Sequence, residues 1–287
     1  MSGGISYQNK DILFKFLSEL YENVTLDVFG LDDIPKIKEL LPNEFPEVTA
    51  DEKRSDIVFQ LEDGSILMLE YESNSKFVEN HLKYIRYVHR ISQRYFQKEN
   101  NIKKVRIVVI YTSDVTKVKE KLDLGDLQIV SKSVLLSEYN GDAIMEKIVN
   151  KIRAGEQLTH EELFKFSILP LMHSVRERDE LIHDSIELAK QIENEQQQVQ
   201  VIAGILTSTD KFIDDEYARK VKEWLKMTKV GRAFEEEKQE AVKKAEKEAE
   251  KKQAKRIAKS LLDILSPELI AEKTGLEIEE VEKLKRV

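Results

Sequence analysis

The sequence predicts an α/β domain followed by a wholly helical region, and three observations lead to that prediction. The run KVRIVVIYTS from Lys104 is short, apolar and rich in β-branched residues, which is typical of a buried strand. Two apolar runs flank Glu62-Asp63-Gly64, and together they form a β-hairpin signal. After about residue 142 no run has the pattern of a strand, and the periodicity is helical.

The elements of the α/β domain follow one another in the order helix, strands, helix, strand. The run KDILFKFLSELYENV from Lys10 has apolar residues at helical spacing and predicts the first helix. The run KFVENHLKYIRYVHRISQRYFQKE from Lys76 predicts a long helix between the hairpin and the buried strand. The run DLQIVSKSVLLSEY from Asp126 predicts a further extended segment. We therefore assign one α/β domain to residues 1–141.

The helical remainder divides into residues 142–229 and residues 230–287. The second part contains a Glu/Lys/Ala-rich helix from about Gly231 and two short helices separated at Thr274-Gly275. The long helix has only an alanine stripe, which is thin for a coiled coil because large apolar side chains are wanted there. The stripe consists of Ala241, Ala245 and Ala249. Two interpretations stay open: a solvated single helix, or an arm through which the chain forms a homodimer.

The composition limits the classes of function. The chain has 287 residues, a formal net charge of −8 and 35% charged residues. An acidic total argues against bulk binding to nucleic acid, but it leaves room for a local basic patch. No run reaches the ~18 apolar residues that a membrane span needs, and the first residues do not resemble a signal peptide. We expect a cytoplasmic protein with no membrane partner, and without cysteines it has no thiolate metal site.

The hairpin over residues 56–73 brings acidic residues together. A three-residue loop at Glu62-Asp63-Gly64 sets a register in which Asp56 lies opposite Glu70. Strand alternation then places Glu72 on the same face. A two-residue Asp-Gly loop would shift the register by one and separate Asp56 from Glu70, and the sequence alone leaves both loops open. In the first register the other face is the core face, with Ile57, Phe59, Leu61, Leu67, Leu69 and Tyr71.

Carboxylates that face each other across a strand pair repel, so the cluster needs a positive partner. A divalent cation meets that need, and hard Mg²⁺ suits carboxylate oxygens. The main-chain carbonyl of Tyr71, between Glu70 and Glu72, is a candidate for a further oxygen ligand. The alternative is that the strand ends are solvated, with Lys53 or Arg54 paired to the acids.

The long helix after the hairpin carries a basic stripe. The stripe consists of Lys83, Arg86, Arg90 and Arg94, at positions i, i+3, i+7 and i+11. A neighbouring apolar stripe, which is suited to docking on a sheet, consists of Tyr84, Tyr87, Val88, Ile91 and Tyr95. Basic residues beside a carboxylate cluster can bind the phosphates of DNA. The alternative is an ordinary solvated helix face.

The order of these residues resembles a known signature. In RSDIVFQLEDGSILMLEYES, Asp56 precedes the hairpin and Glu70-Tyr71-Glu72 follows it, which resembles the D…(D/E)-x-K signature of the PD-(D/E)XK nuclease superfamily. The segment is similar to that of the recombination-promoting nucleases (the Rpn family, transposase-like proteins). Asp11 and Lys15 in KDILFKFL are similar to that family's opening helix, and Tyr87 in YIRYVHRI to its Arg-Tyr helix. The tail ELIAEKTGLEIEEVEKLK also resembles that of many members.

The resemblance implies a restriction-endonuclease-like core, a mixed sheet flanked by helices in the order helix, three strands, helix, strand. It implies that Asp56 and Glu70 bind Mg²⁺, or Mn²⁺, for the hydrolysis of phosphodiester bonds in DNA. Glu72 takes the place of the catalytic Lys or Gln, and Glu cannot deliver a positive charge. It can act as a base or as an additional metal ligand.

Two functions follow from this resemblance. The first is a Mg²⁺-dependent endodeoxyribonuclease linked to recombination or mobile elements. The second is a catalytically degenerate nuclease fold that serves as a nucleic-acid-binding or assembly module, which Glu72 and the long helical region favour.

Overall fold

A five-stranded mixed sheet organises the first part of the chain. The computed structural model describes residues 12–41, 57–262 and 264–285, which divide into two units between Val230 and Gly231. The sheet has the order β1-β2-β3-β4-β7, with β1 to β3 antiparallel and with β3, β4 and β7 parallel. Its strands are β1 (Ile37–Leu40), β2 (Ile57–Leu61), β3 (Ile66–Glu72), β4 (Val105–Tyr111) and β7 (Lys132–Leu135). A separate hairpin consists of β5 (Lys121–Asp123) and β6 (Gln128–Val130).

The β2–β3 hairpin has the three-residue loop. Gln60 pairs with Ile66 and Val58 pairs with Met68, as that loop requires. The Gly64 N–H donates to the Leu61 carbonyl at 2.9 Å, and Gly64 has φ +77°, a conformation that favours glycine. The predicted register is therefore confirmed for the described part of the hairpin, and the two-residue loop is wrong. Asp56 itself lies outside the described residues.

One face of the hairpin packs on helices, as its apolar pattern predicts. Helix α1 (Ile12–Tyr21) lies on this face, where the Tyr21 ring is 5.0 Å from the Phe59 ring. The Tyr21 hydroxyl is hydrogen-bonded to the Tyr71 hydroxyl at 2.7 Å. Helices α4 (His160–Ile168) and α6 (Glu195–Ser208) in turn pack on α1. The six predicted core residues of this face are all buried.

Helix α2 (Phe77–Glu99) covers the opposite face of the sheet with its predicted apolar stripe. Tyr84 packs with Met68 and the residues of β4, and Ile91 packs with Val58 and Ile66. Every residue of β3 is therefore buried, including those on the face that carries the acids. The alternative of solvated acidic strand ends does not hold for β3.

The rest of the first unit is helical. No strand follows β7 within the described residues, which confirms the predicted change of class after the sheet. Helices α3 (Gly141–Arg153), α5 (Arg178–Ala189) and α7 (Asp215–Met227) complete it, with 3-10 turns at Asp27–Phe29, Leu136–Glu138 and Leu169–Leu171. Among the described helices, none combines the length and apolarity needed to cross a membrane.

The second unit contains the predicted long helix, apart from its first two residues, and the two short helices. They are α8 (Lys229–Leu261), α9 (Pro267–Thr274) and α10 (Ile278–Lys285). Gly275 ends α9 with φ +70°, as the Thr274-Gly275 break predicts. The unit has its own small core of Ala258, Ile270, Ala271, Leu276 and Val281. The side chains of the alanine stripe lie outside the described part of α8, so the homodimer stays a prediction.

The turn residue Asp63 fixes the hairpin, and its effect should depend on pH. Its carboxylate accepts hydrogen bonds from the Ser65 hydroxyl, from the Ser65 N–H at 2.9 Å and from Arg106 at 3.0 Å. The hydrogen bond from the Ser65 hydroxyl has the largest effect on the pKa of Asp63, and those from the Ser65 N–H and Arg106 add to it. Together they outweigh the effect of burial and lower this pKa to about 2. Because this pKa lies below the unfolded value, the stabilisation is complete above about pH 4 and is lost as the pH falls towards 2.

We expect Asp63→Asn to lower the free energy of unfolding by about 0.5–1 kcal/mol at pH 7, since the side chain is partly exposed. The difference from the wild type should shrink below about pH 4. Urea unfolding at pH 7 and at a pH below about 4 measures this difference in the free energy of unfolding. Glu62→Gln, at an exposed neighbouring position of the loop, is the control. A difference that is the same at both pH values would contradict the role of Asp63.

Candidate active site

Two glutamates of β3 lie buried near the point where two parallel strands end. Glu70 and Glu72 point to the α2 side of the sheet, and their exposed fractions are 0% and 3%. They pair in register with Val109 and Tyr111 of β4. The carboxyl ends of neighbouring parallel strands are where α/β sheets commonly bind ligands. The location is therefore suited to a functional site, and it requires a compensating positive charge.

Lys83 of α2 supplies that charge. Its ammonium lies 2.9 Å from Glu70 Oε2 and also donates a hydrogen bond to Glu72 Oε1. The side chain of Lys83 is 17% exposed, so most of this ion pair is shielded from water. From the sequence we expect a divalent cation, or else Lys53 or Arg54, to compensate the acids. Lys53 and Arg54 lie outside the described residues. Lys83 was predicted instead to belong to the DNA-binding stripe.

A second lysine, from the helical region, lies close to the two glutamates of β3. Lys211 belongs to the segment 209–214 between α6 and α7, and its ammonium donates a hydrogen bond of 2.8 Å to the Tyr71 carbonyl. It also lies 3.9 Å from Glu72 Oε2. The carbonyl that was proposed as a metal ligand thus accepts a hydrogen bond from an ammonium. No feature of the sequence links Lys211 to the hairpin, and the sequence analysis missed it.

Polar and aromatic side chains surround the cluster of Glu70, Glu72, Lys83 and Lys211. Asn74 Nδ2 lies 3.4 Å from Glu72 Oε2, and Asn80 Nδ2 lies 3.4 Å from Asn74 Oδ1. Tyr84 is fully buried beside the cluster. Burial, and then the negative charges of Glu72 and Glu70, raise the pKa of Tyr84. The Tyr84 phenol therefore stays protonated at neutral pH, so it can donate a hydrogen bond there but cannot act as a base.

The other predicted site residues lie elsewhere or outside the described structure. Asp11 and Asp56 are outside it, and Lys15 lies in α1 at a position whose side chain is not described. Tyr87 packs against the core beneath α2. The remaining members of the basic stripe are on α2: Arg86 is exposed, and Arg90 and Arg94 are half-buried. The structure therefore brings together Glu70, Glu72 and Lys83 from the predicted set.

The carboxylates of Glu70 and Glu72 have the right chemistry for a hard divalent cation, because Mg²⁺ and Mn²⁺ prefer oxygen ligands. Within the ranges 12–41, 57–262 and 264–285, however, no three acids or histidines are arranged so that they could hold a metal ion. In the present arrangement the Lys83 ammonium already bridges the two carboxylates. A cation bound by both of them would have to share these oxygens with Lys83 or displace it.

Comparison with protein-family models, with curated proteins and with solved structures finds no match to the chain. These comparisons therefore identify no family for the chain. The chemistry of the site has to be inferred from its side chains.

The burial of the cluster predicts a large effect of removing Lys83. We expect Lys83→Met to lower the free energy of unfolding by about 3 kcal/mol, because two buried carboxylates lose their closest positive partner. The triple variant Lys83→Met, Glu70→Gln, Glu72→Gln should recover most of that loss, since it lacks the ammonium and both carboxylates. Chemical denaturation measures both.

The control is Lys220→Met, which removes an exposed partner of Glu216 and should cost less than about 1 kcal/mol. If Lys83→Met costs no more than Lys220→Met, the buried cluster does not depend on Lys83.

Proposed function

We propose that the chain is a metal-dependent hydrolase of phosphodiester bonds in DNA, a member of the PD-(D/E)XK nuclease superfamily close to the recombination-promoting nucleases. The observation that carries the proposal is the buried cluster in which the Lys83 ammonium lies between the carboxylates of Glu70 and Glu72. Two acids and a lysine at one end of a sheet can hold a divalent cation and stabilise negative charge on a phosphate, and both effects favour phosphodiester hydrolysis.

The order of the elements gives further support. Helix α1, strands β1 to β3, helix α2 and strand β4 follow one another as the resemblance implies. The first three strands are antiparallel, β4 runs parallel to β3, and the helices cover both faces. The acids lie in the second strand of the hairpin, where the signature has its second acid. Fold order alone does not carry a function, so the proposal depends on the cluster.

Each residue of the site would have its own role in phosphodiester hydrolysis. Glu70 would hold Mg²⁺ or Mn²⁺ together with Asp56, the first acid of the signature, whose role the resemblance implies. Such a cation, if bound, would supply a water of lowered pKa and positive charge beside the phosphate. Glu72 would serve as a further ligand or accept the proton of the attacking water. Lys83, released in part from the carboxylates, would donate to a phosphate oxygen and supply the positive charge that Glu72 cannot.

The arginines of α2 suggest how an acidic protein can bind DNA. Arg86 is exposed, and Arg90 and Arg94 are half-buried on the helix that carries Lys83. Contacts from such residues to phosphates supply affinity without sequence preference. The proposal includes a role in recombination or mobile elements, which rests on the resemblance.

A second function is favoured by one specific observation. Lys83 bridges both carboxylates, so the buried cluster has a compensating charge without any metal ion. A protein that had lost catalysis would retain the cluster for the stability of its core. In that case the chain is a nucleic-acid-binding or assembly module built on a nuclease fold.

Nicking of supercoiled plasmid with Mg²⁺, with Mn²⁺ and with EDTA separates the two functions. We expect divalent-dependent nicking that Glu70→Gln and Glu72→Gln each reduce by at least ~10²-fold, because each removes a ligand or a base. Glu216→Gln, which changes an exposed partner of Lys220, should leave the rate unchanged.

Wild-type protein that binds DNA without nicking it under any of these conditions would favour the assembly module. Nicking that survives in Glu70→Gln would show that the site lies elsewhere. A rise in activity in Glu72→Gln would mean that Glu72 marks a decayed site.

A further inference from the structure

Lys211 differs from the other members of the cluster in origin and in exposure. It lies 140 residues after Tyr71 in the sequence, yet its ammonium donates to the Tyr71 carbonyl at 2.8 Å. Its side chain is 23% exposed, compared with 17% for Lys83, 0% for Glu70 and 4% for Glu72. Lys211 is therefore the member of this cluster that is most open to solvent.

The segment that carries Lys211 is held firmly against the sheet. The N–H groups of Phe212 and Ile213 both donate to the Thr209 carbonyl, which makes a tight turn after α6. Arg178 of α5 lies over the Phe212 ring at 4.6 Å and forms an ion pair with Asp114, which follows β4. Arg178 thus links the segment that carries Lys211 to the residues that follow β4.

Asp114 is in turn connected to the acids. Thr112 donates its hydroxyl to Asp114 at 3.1 Å and its N–H to the Glu72 carbonyl at 2.9 Å. This chain of contacts fixes the position of segment 209–214 relative to β3. The ammonium of Lys211 is consequently placed by the fold and is not a chance surface contact.

The contacts of Lys211 leave it able to bind an anion. An ammonium has three donor hydrogens, and the hydrogen bond of Lys211 within the described residues goes to an uncharged carbonyl. Its distance of 3.9 Å from Glu72 Oε2 is long compared with the 2.9 Å between Lys83 and Glu70. A weakly paired, partly exposed ammonium beside two carboxylates is suited to a ligand that brings its own negative charge.

We propose that Lys211 binds a phosphate of the DNA substrate at the entrance of the site, so that the helical region forms part of the nuclease site. This inference rests on the proposed function and extends it. Lys83 then acts at the reacting phosphate within the cluster, and Lys211 holds a phosphate at its solvent side. The loss of Lys211 should weaken binding of DNA more than it slows the chemistry at saturating DNA.

Binding of a fluorescently labelled DNA duplex, without divalent cations and at several salt concentrations, tests the proposal. We expect Lys211→Met to weaken binding about tenfold and to lower the log–log salt slope by about one unit. Lys211→Arg should retain most of the affinity because it keeps the charge. Lys220→Met, which removes an exposed lysine of α7, should behave as the wild type. Thermal denaturation verifies that each variant is folded, and Lys211→Gln replaces Lys211→Met if the latter is not.

The outcomes separate this inference from the nuclease proposal. If the wild type nicks DNA and Lys211→Met keeps the affinity and the salt slope, Lys211 does not bind phosphate although the nuclease proposal stands. If Lys211→Met shows the expected loss but the wild type never nicks, Lys211 binds nucleic acid in an inactive site. A wild type that neither binds nor nicks DNA overturns both.

Discussion

The ion pair between Lys83 and the carboxylates of Glu70 and Glu72 is the interaction on which the rest of this site depends. Two acids on one face of a strand, both buried, are strongly unfavourable without a positive partner. Because Lys83 comes from α2, the cluster requires that the helix docks in one position on the sheet. The same contact therefore orders the core and brings together the groups that hydrolysis would use.

The hairpin register is the second requirement. A slip of one residue in β3 would turn Glu70 and Glu72 towards the face on which α1 packs. The described side chains that pack on that face are mainly apolar, and the hydroxyls of Tyr21 and Tyr71 are hydrogen-bonded to each other there, so a slip would bury the acids among apolar groups. The Glu62-Asp63-Gly64 loop excludes this slip, since Gly64 adopts a positive φ and Asp63 binds Ser65 and Arg106. A turn about 20 Å of extended chain from the acids thus determines which face they occupy.

Local patterns predicted much of the fold, because local chemistry specifies it. The loop residues gave the hairpin register, and helical periodicity gave α2 with the stripe that docks on the sheet. The shared face of Glu70 and Glu72 followed from strand alternation. These features depend on residues within a few positions of one another, and a single sequence contains that information.

The partners of the acids were not predictable in the same way. Lys83 has helical spacing with Arg86, Arg90 and Arg94, but it lies at the edge of the stripe, next to the buried Tyr84. Only the rotation of α2 over the sheet decides that Lys83 points to the acids. Lys211 is 140 residues away from Tyr71, and its position depends on the packing of α5, α6 and the end of β4. Neither contact has a local signal in the sequence.

The central claim, that the carboxylates beside Lys83 form a divalent-metal site, is tested most directly by titrating Mn²⁺ into the protein in a calorimeter. We expect one site, which Glu70→Gln abolishes. We expect Lys83→Met to tighten this site about tenfold or more, because the competing ammonium is gone and the carboxylates keep their charge. If neither the wild type nor Lys83→Met binds Mn²⁺, or if Glu70→Gln binds it as well as the wild type, the cluster is an ion pair of the core and not a metal site.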